Sequence, residues 1–278
     1  QGREDEAMDQ FRAAASKSPE YRDQVFSIVW EYFEKDPKRL DQLADQRPEV
    51  RAGLAKFYAA RELPVESLRV WNTLSAEEKQ DHHDVAKVIA QALYEKRFFR
   101  SAVAYVKQLG LESGAELGVI QNPGFETPFE DPQKVYFGWK SVRLEKTDVR
   151  SDQIKKHGGN RSLRIAFSGY NGIEVKNVWQ VAAVQSSKRY RVRFWVRTED
   201  LKSAGPPLIE IVNANDNKIL ATSPAFPTGN NDWTEMKVEF EVPETAEGIL
   251  VRLDRAYCGD ACPIFGSVWL DDFVLEAE

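Results

Sequence analysis

The stretch "YRVRFWVR" at residues 190–197 decides the class of the second half of this chain. Val192, Phe194 and Val196 fall on one side of an extended segment, and Arg191, Arg193, Trp195 and Arg197 fall on the other. A period of two is the mark of a strand with one face on a core and one face turned outward. The same alternation returns in "SLRIAFSG" (162–169), "LIEIVN" (208–213), "MKVEFEV" (236–242), "ILVRLD" (249–254) and "SVWLDDFVL" (267–275). Asn171-Gly172, "NANDN" (213–217) and "TGNND" (228–232) supply turn chemistry between them. The pattern predicts an antiparallel β-sandwich, a Greek key or jelly roll, of about 160 residues.

Upstream of "LGLESGAELG" (109–118), a Gly/Ser/Glu linker, the period changes to that of helices. Ser18-Pro19, Asp36-Pro37, Arg47-Pro48 and Leu63-Pro64 each place Pro where a first helical turn tolerates it. Ser75 and Glu78 form a capping box, and Val25, Ile28, Val29, Tyr32 and Phe33 recur at helical spacing. "LAKFYAARELPVESLRVWNTL" from Leu54 aligns without gaps to "IAQALYEKRFFRSAVAYVKQL" from Ile89, 35 residues later. The alignment pairs Ala55 with Ala90, Tyr58 with Leu93, Ser67 with Ala102 and Trp71 with Val106. This internal repeat resembles the tetratricopeptide repeats, whose period is about 34 residues. The expected organisation is therefore a helical-repeat domain at 1–112 and a jelly roll at 119–278.

In the second half, "NPGFE" (122–126), Trp139, "GGNRSLRI" (158–165), the strands from Val178 to Arg197 and "VWLDDFVL" (268–275) follow one another in order. That succession resembles the galactose-binding-like jelly rolls, and within them the carbohydrate-binding modules attached to xylanases and glucanases. The resemblance implies a structural calcium joining the first and last strands. Its ligands would be Glu126, Asp271 or Asp272, and oxygens around Gly159 and Asn160. Calcium takes six to eight hard oxygens, several of them backbone carbonyls. The plainer alternative leaves the two aspartates as a solvated strand end. The family pattern also places Trp139 and Trp233 in the core, and Trp269 shares its alternation with Phe273.

Alternation gathers Arg193, Trp195, Glu210, Arg252 and Asp254 as candidates for one glycan-binding face, with Tyr170 and Trp179 nearby. An indole covers sugar C–H surface, and charged groups hydrogen-bond hydroxyls. The alternative is an ion-paired face that packs against the helical domain or simply faces water. Cys258 and Cys262 lack the further ligands a zinc site needs and lack the C-x-x-C spacing of a redox motif. A local disulfide clipping the loop before the last strand is the expectation, stabilising by roughly 2 kcal/mol. It points to an oxidising compartment, periplasmic or secreted. Two reduced buried thiols are the other possibility.

The net charge of −6, without long single-sign blocks, gives no footprint for nucleic acid. No run of about 18 apolar residues is present to span a membrane. The chain opens "QGREDEAMDQF", which reads as a trimmed piece with any export signal upstream. No G-x-S-x-G elbow, H-E-x-x-H, P-loop or dinucleotide fingerprint occurs, and His157 reads as a turn residue. The expected activity is non-catalytic glycan binding by the jelly roll, with the helical repeats as scaffold or protein-docking surface. The competing expectation is a protein–protein adaptor of the cell envelope.

Overall fold

The computed structural model describes residues 2–44, 47–129 and 135–278. The chain forms two compact units, Gln1–Ala102 and Val103–Glu278.

The first unit is helical. Its elements are α1 (Gly2–Lys17), α2 (Pro19–Tyr32), α3 (Pro37–Asp41), α4 (Pro48–Ala60), α5 (Pro64–Trp71), α6 (Ala76–Asp81) and α7 (His83–Glu95), and the division falls inside α8 (Phe99–Gln108). Each expected proline opens a helix, because its missing N–H is one the first turn cannot satisfy anyway. Ser75 and Glu78 complete both halves of their capping box at α6. Glu62 and Arg97, 35 residues apart, carry φ of 65° and 66° after α4 and α7, so the sequence repeat is also a repeat of backbone turn. Leu54, Ala55, Tyr58, Ser67 and Trp71 are buried, as are Ile89, Ala90, Leu93 and Ala102. Ser67 Oγ donates to the Ala55 carbonyl at 2.8 Å, which lets α5 lie close on α4. In α2, Val25 and Val29 are buried while Ile28 and Tyr32 stay exposed, so the apolar spacing there is wider than the buried stripe. No helix among the described residues is long and apolar enough to cross a membrane.

The second unit is a two-sheet antiparallel sandwich. The strands are β1 (Lys140–Ser141), β2 (Thr147–Asp152), β3 (Ser162–Tyr170), β4 (Val178–Ala183), β5 (Arg189–Lys202), β6 (Pro207–Asn213), β7 (Ile219–Thr222), β8 (Gly229–Glu241), β9 (Gly248–Arg255) and β10 (Ile264–Ala277). A front sheet has the order β1-β4-β9-β6-β7 and a back sheet the order β2-β3-β10-β5-β8. Between them lie Leu163, Ile165, Val192, Phe194, Val196, Ile209, Ile211, Val251, Leu253, Val268, Leu270 and Phe273. Phe194 stacks on Phe273 at 4.9 Å, and Trp139 meets Phe273 at 5.0 Å.

Two features correct the alternation reading. A register shift between Asp271 and Val274, with Asp272 at φ 48°, inserts a residue into β10. Leu270 and Phe273 therefore both face the core, and Trp269 does not share a side with Phe273. Trp269 lies on the outer side instead. Lys155 and Arg164 cover it there, and its Nε1 donates to Asp152 at 2.8 Å. Trp233 also lies outside the core, half-buried, with its edge toward His157 at 5.8 Å.

Candidate functional site

The proposed single face is divided by the sheet topology. Arg193 and Trp195 sit on β5 of the back sheet, whereas Trp179, Glu210, Arg252 and Asp254 sit on β4, β6 and β9 of the front sheet. Alternation states which side of its own strand a residue occupies and carries no information on which sheet the strand joins. The five residues Arg193, Trp195, Glu210, Arg252 and Asp254 therefore do not form one surface.

The front sheet brings five residues into register. Lys140 pairs with Trp179, Trp179 with Arg252, Arg252 with Glu210, and Glu210 with Thr222, forming one row across all five strands. Their neighbours along each strand, such as Val178, Ile209, Ile211, Val251 and Leu253, point into the core, so the row points outward. Arg252 donates from Nε and Nη2 to Glu210 Oε2 at 2.8 and 2.7 Å. Trp179 and Arg252 are partly exposed, while Glu210 retains only 7 % of its surface. Burial pulls the Lys140 ammonium below its ordinary range, and Glu112 opposes that shift. The row thus offers an indole beside a charge pair whose remaining oxygen, Oε1, is spared by Arg252.

Asp254 belongs to the same face but acts on the backbone. Its Oδ1 accepts from Val175 N at 3.0 Å and from Arg255 N at 2.9 Å, and Lys176 approaches Oδ2 at 3.7 Å. It therefore ties the 171–177 loop to the end of β9. Tyr170, at the end of β3 in the back sheet, donates its hydroxyl to the Glu174 carbonyl and stands apart from the row.

On the back sheet Arg193 donates to Glu276 at 2.6 Å and to Glu235 at 2.8 Å, and these partners, Glu276 first, raise its guanidinium. Trp195 is stacked beneath His157, 3.9 Å between ring centres and 14° between planes. His157 Nδ1 lies 2.7 Å from Asp272 Oδ2. The indole face that a sugar would use is therefore occupied by the chain's own imidazole. His157 was expected to be a plain turn residue; its position over Trp195 follows from the Asp272 contact, which no local pattern reveals.

The residues proposed for calcium converge on a glycine cradle. A Cβ built on Gly124 would meet Asp271 Oδ1 at 3.4 Å, Asp272 Oδ1 at 3.5 Å and Glu126 Oε1 at 3.7 Å. Gly159, at φ 51°, leaves the space that Glu126 fills. Glu126 Oε1 accepts from Asn160 N at 2.7 Å, and this bond, first among its causes, lowers its carboxyl. Asp271 is fully buried and accepts from His157 N and Gly158 N, yet burial pushes its carboxyl up to about 6. The donor chemistry, three hard carboxylates around a side-chain-free pocket, fits calcium in kind. The spacing does not yet make a coordination shell: among the described residues no three such side chains meet with metal-ligand geometry. Gly159 and Asn160 enter through the space one leaves and the N–H the other donates.

Cys258 and Cys262 are joined in a disulfide. It lies against Arg255, at the far end of the strand that carries Arg252.

Among solved structures, one recorded as "CBM4 structure and function" is 12 % identical, with 58 % of this chain and 100 % of that chain covered and a TM-score of 0.40. TmCBM61 in complex with β-1,4-galactotriose is 18 % identical, with 57 % and 97 % covered and a TM-score of 0.37. The Clostridium thermocellum xylanase 10B CBM22-1–GH10 modules with xylohexaose are 13 % identical, with 55 % of this chain covered and a TM-score of 0.36. The chain spans only 27 % of that xylanase structure. No curated protein matches the chain. A family model described as a carbohydrate binding domain matches residues 117–255, half of the chain. Through that match, the chain belongs to the carbohydrate-binding domain family.

Proposed function

We propose that the second unit captures a glycan, without catalysis, on the outward row Trp179–Arg252–Glu210 of the front sheet. The single observation that carries this reading is the register that sets an indole, a guanidinium and a carboxylate side by side on β4, β9 and β6. Trp179 would lie against the apolar face of a sugar ring. Arg252 and the free oxygen of Glu210 would exchange hydrogen bonds with its hydroxyls. A fold alone does not specify a ligand, so the reading rests on these groups.

Within the same reading, a calcium ion held by Glu126, Asp271 and Asp272 joins the "NPGFE" segment to β10 and supplies the positive counter-charge that favours the anion of buried Asp271. The tetratricopeptide-like helices serve as scaffold or protein-docking surface, and the disulfide suits a periplasmic or secreted protein. Affinity electrophoresis through gels cast with individual polysaccharides tests the glycan reading, with Trp179→Ala as the partner sample. Retardation in at least one gel, reduced roughly thirtyfold in affinity by Trp179→Ala, is the expected result, equivalent to about 2 kcal/mol. Retardation that Trp179→Ala leaves intact would move the site elsewhere.

A second reading, a protein–protein adaptor, is favoured by the near-complete burial of Glu210 and its pairing to Arg252. It predicts no retardation in any gel, and recovery of one defined envelope protein on the immobilised chain that Trp179→Ala abolishes.

A further inference from the structure

Arg255 is a buried cation, 6 % exposed, whose guanidinium reaches no carboxylate among the described residues. Its Nε donates to the Gly205 carbonyl at 3.2 Å and its Nη1 to the Gly172 carbonyl at 2.9 Å. Its Nη2 donates to Ser203 Oγ at 3.0 Å, to Cys258 Sγ at 3.1 Å and to Cys262 Sγ at 3.0 Å. The neighbouring Asp254 spends Oδ1 on two backbone N–H groups and turns Oδ2 toward Lys176. A buried charge with only neutral acceptors is costly, and neutral sulfurs are weak acceptors. Asp254 and Tyr170 act on this cation from beyond hydrogen-bond contact, and of the groups its N–H donors touch, only the disulfide can become an anion, on reduction.

The two sulfurs differ in access. Cys262 is 4 % exposed, and its backbone N–H is held by Asn171 Oδ1 at 2.6 Å. Cys258 is half-buried, in a segment where Tyr257 and Asp260 are exposed. A Cβ on Gly205 would come within 2.5 Å of Cys258 Sγ, so this glycine is what lets the bridge lie against the connection between β5 and β6.

The geometry points to Cys258–Cys262 as a thiol–disulfide exchange site for an external thiol or dithiol, with Arg255 receiving the Cys262 thiolate as its counter-ion. The reductant's thiolate attacks Cys258 Sγ. A new S–S bond forms there, the Cys258–Cys262 bond breaks, and its electron pair leaves on Cys262 Sγ beside the guanidinium. A second thiol, from the same dithiol or another monothiol, then attacks the reductant's sulfur in the mixed disulfide. It departs as the oxidised reductant, and Cys258 keeps the proton as a thiol. Two electrons pass from reductant to protein. A leaving thiolate stabilised by a cation leaves faster, and stabilising the reduced form makes the disulfide more oxidising.

The site is independent of what the front face binds, and so is its test. The folded protein is equilibrated in glutathione redox buffers, quenched by alkylation, and its free thiols are counted by intact mass. Arg255→Gln is expected to need at least tenfold more reducing conditions for half-reduction, which is about 30 mV for this two-electron couple. Arg255→Lys should fall between. Equal midpoints for wild type and Arg255→Gln overturn the proposal. Should Arg255→Gln fail to fold, the reduced wild type decides by thiolate absorbance against pH: one thiol titrating well below the ordinary value of about 8.5 supports it, and two at or above that value overturn it. Peptide mapping of glutathione trapped on Cys258 supports the order of attack, and an adduct on Cys262 reverses it. A dithiol reductant run in parallel should give reduction with no trapped adduct.

Discussion

The two outer faces of the sandwich are built from the same kinds of side chain and arrive at opposite states. The front face sets Trp179 in register with Arg252 and Glu210, and among the described residues no ring stacks on that indole. The back face sets Trp195 next to Arg193, but His157 lies flat on the indole and two glutamates hold the guanidinium. The difference comes from a loop. Residues around His157 are pulled onto the back face because Asp271 and Asp272 take their backbone and ring N–H groups. An aromatic beside an arginine marks a surface available to a ligand only when the rest of the chain has not already satisfied both.

The carboxylate cradle gives the largest expected effect and tests the cause of that difference. With calcium at a hundredfold its Kd, binding to the folded state alone contributes about 2.7 kcal/mol. Adding a chelator should then lower the melting midpoint by several degrees. Asp271→Asn should abolish the response. The front face should keep its glycan affinity in chelator below the melting range, since the cradle anchors only the other side. An unchanged midpoint removes calcium from the account and leaves His157 held by hydrogen bonds alone.

Next comes the charge pair of the front row. Arg252→Ala leaves Glu210 largely buried without its partner, and a loss of about 2 kcal/mol is expected in denaturant unfolding, discounted for the pair's partial exposure. Replacing both with leucine should recover much of that loss while abolishing glycan retention. A single mutant as stable as wild type would mean that Glu210 is solvated, and would reduce the contrast between the faces.

The smallest effect is expected from Trp195→Ala. With its upper face already covered, this indole should contribute less than a twofold change in glycan affinity, read in the same gels. A loss as large as that of Trp179→Ala would invert the comparison, because it would require His157 to swing aside for a ligand.

Legibility in the sequence followed the range of the interaction. Proline positions, the Ser75–Glu78 box and the 35-residue repeat were readable because each depends on backbone groups a few residues apart. The strands from Ser162 onward were readable because burial on one side imposes a period of two. The disulfide was readable because Cys258 and Cys262 are close in the chain and have no competing partner. Trp233 was misplaced; Trp269 is buried, but on the other side of β10 from Phe273, because an inserted residue at Asp272 resets the alternation midway along the strand. The cradle of Glu126, Asp271 and Asp272 was suggested by family resemblance alone, since nothing local ties residue 126 to residue 271.

By itself, then, the sequence determined a helical first part, a β-sandwich after it, and the membership of residues in strand sides, because these depend on local hydrogen bonding and on apolar periodicity. Only the tertiary structure decided that β5 and β9 belong to different sheets, that Trp195 is capped while Trp179 is not, and that Arg255 lies against both sulfurs. Those outcomes depend on which distant strands exchange hydrogen bonds and on which loop folds back over which face. Such choices are settled by the packing energy of the whole sandwich, and no short window of residues encodes them.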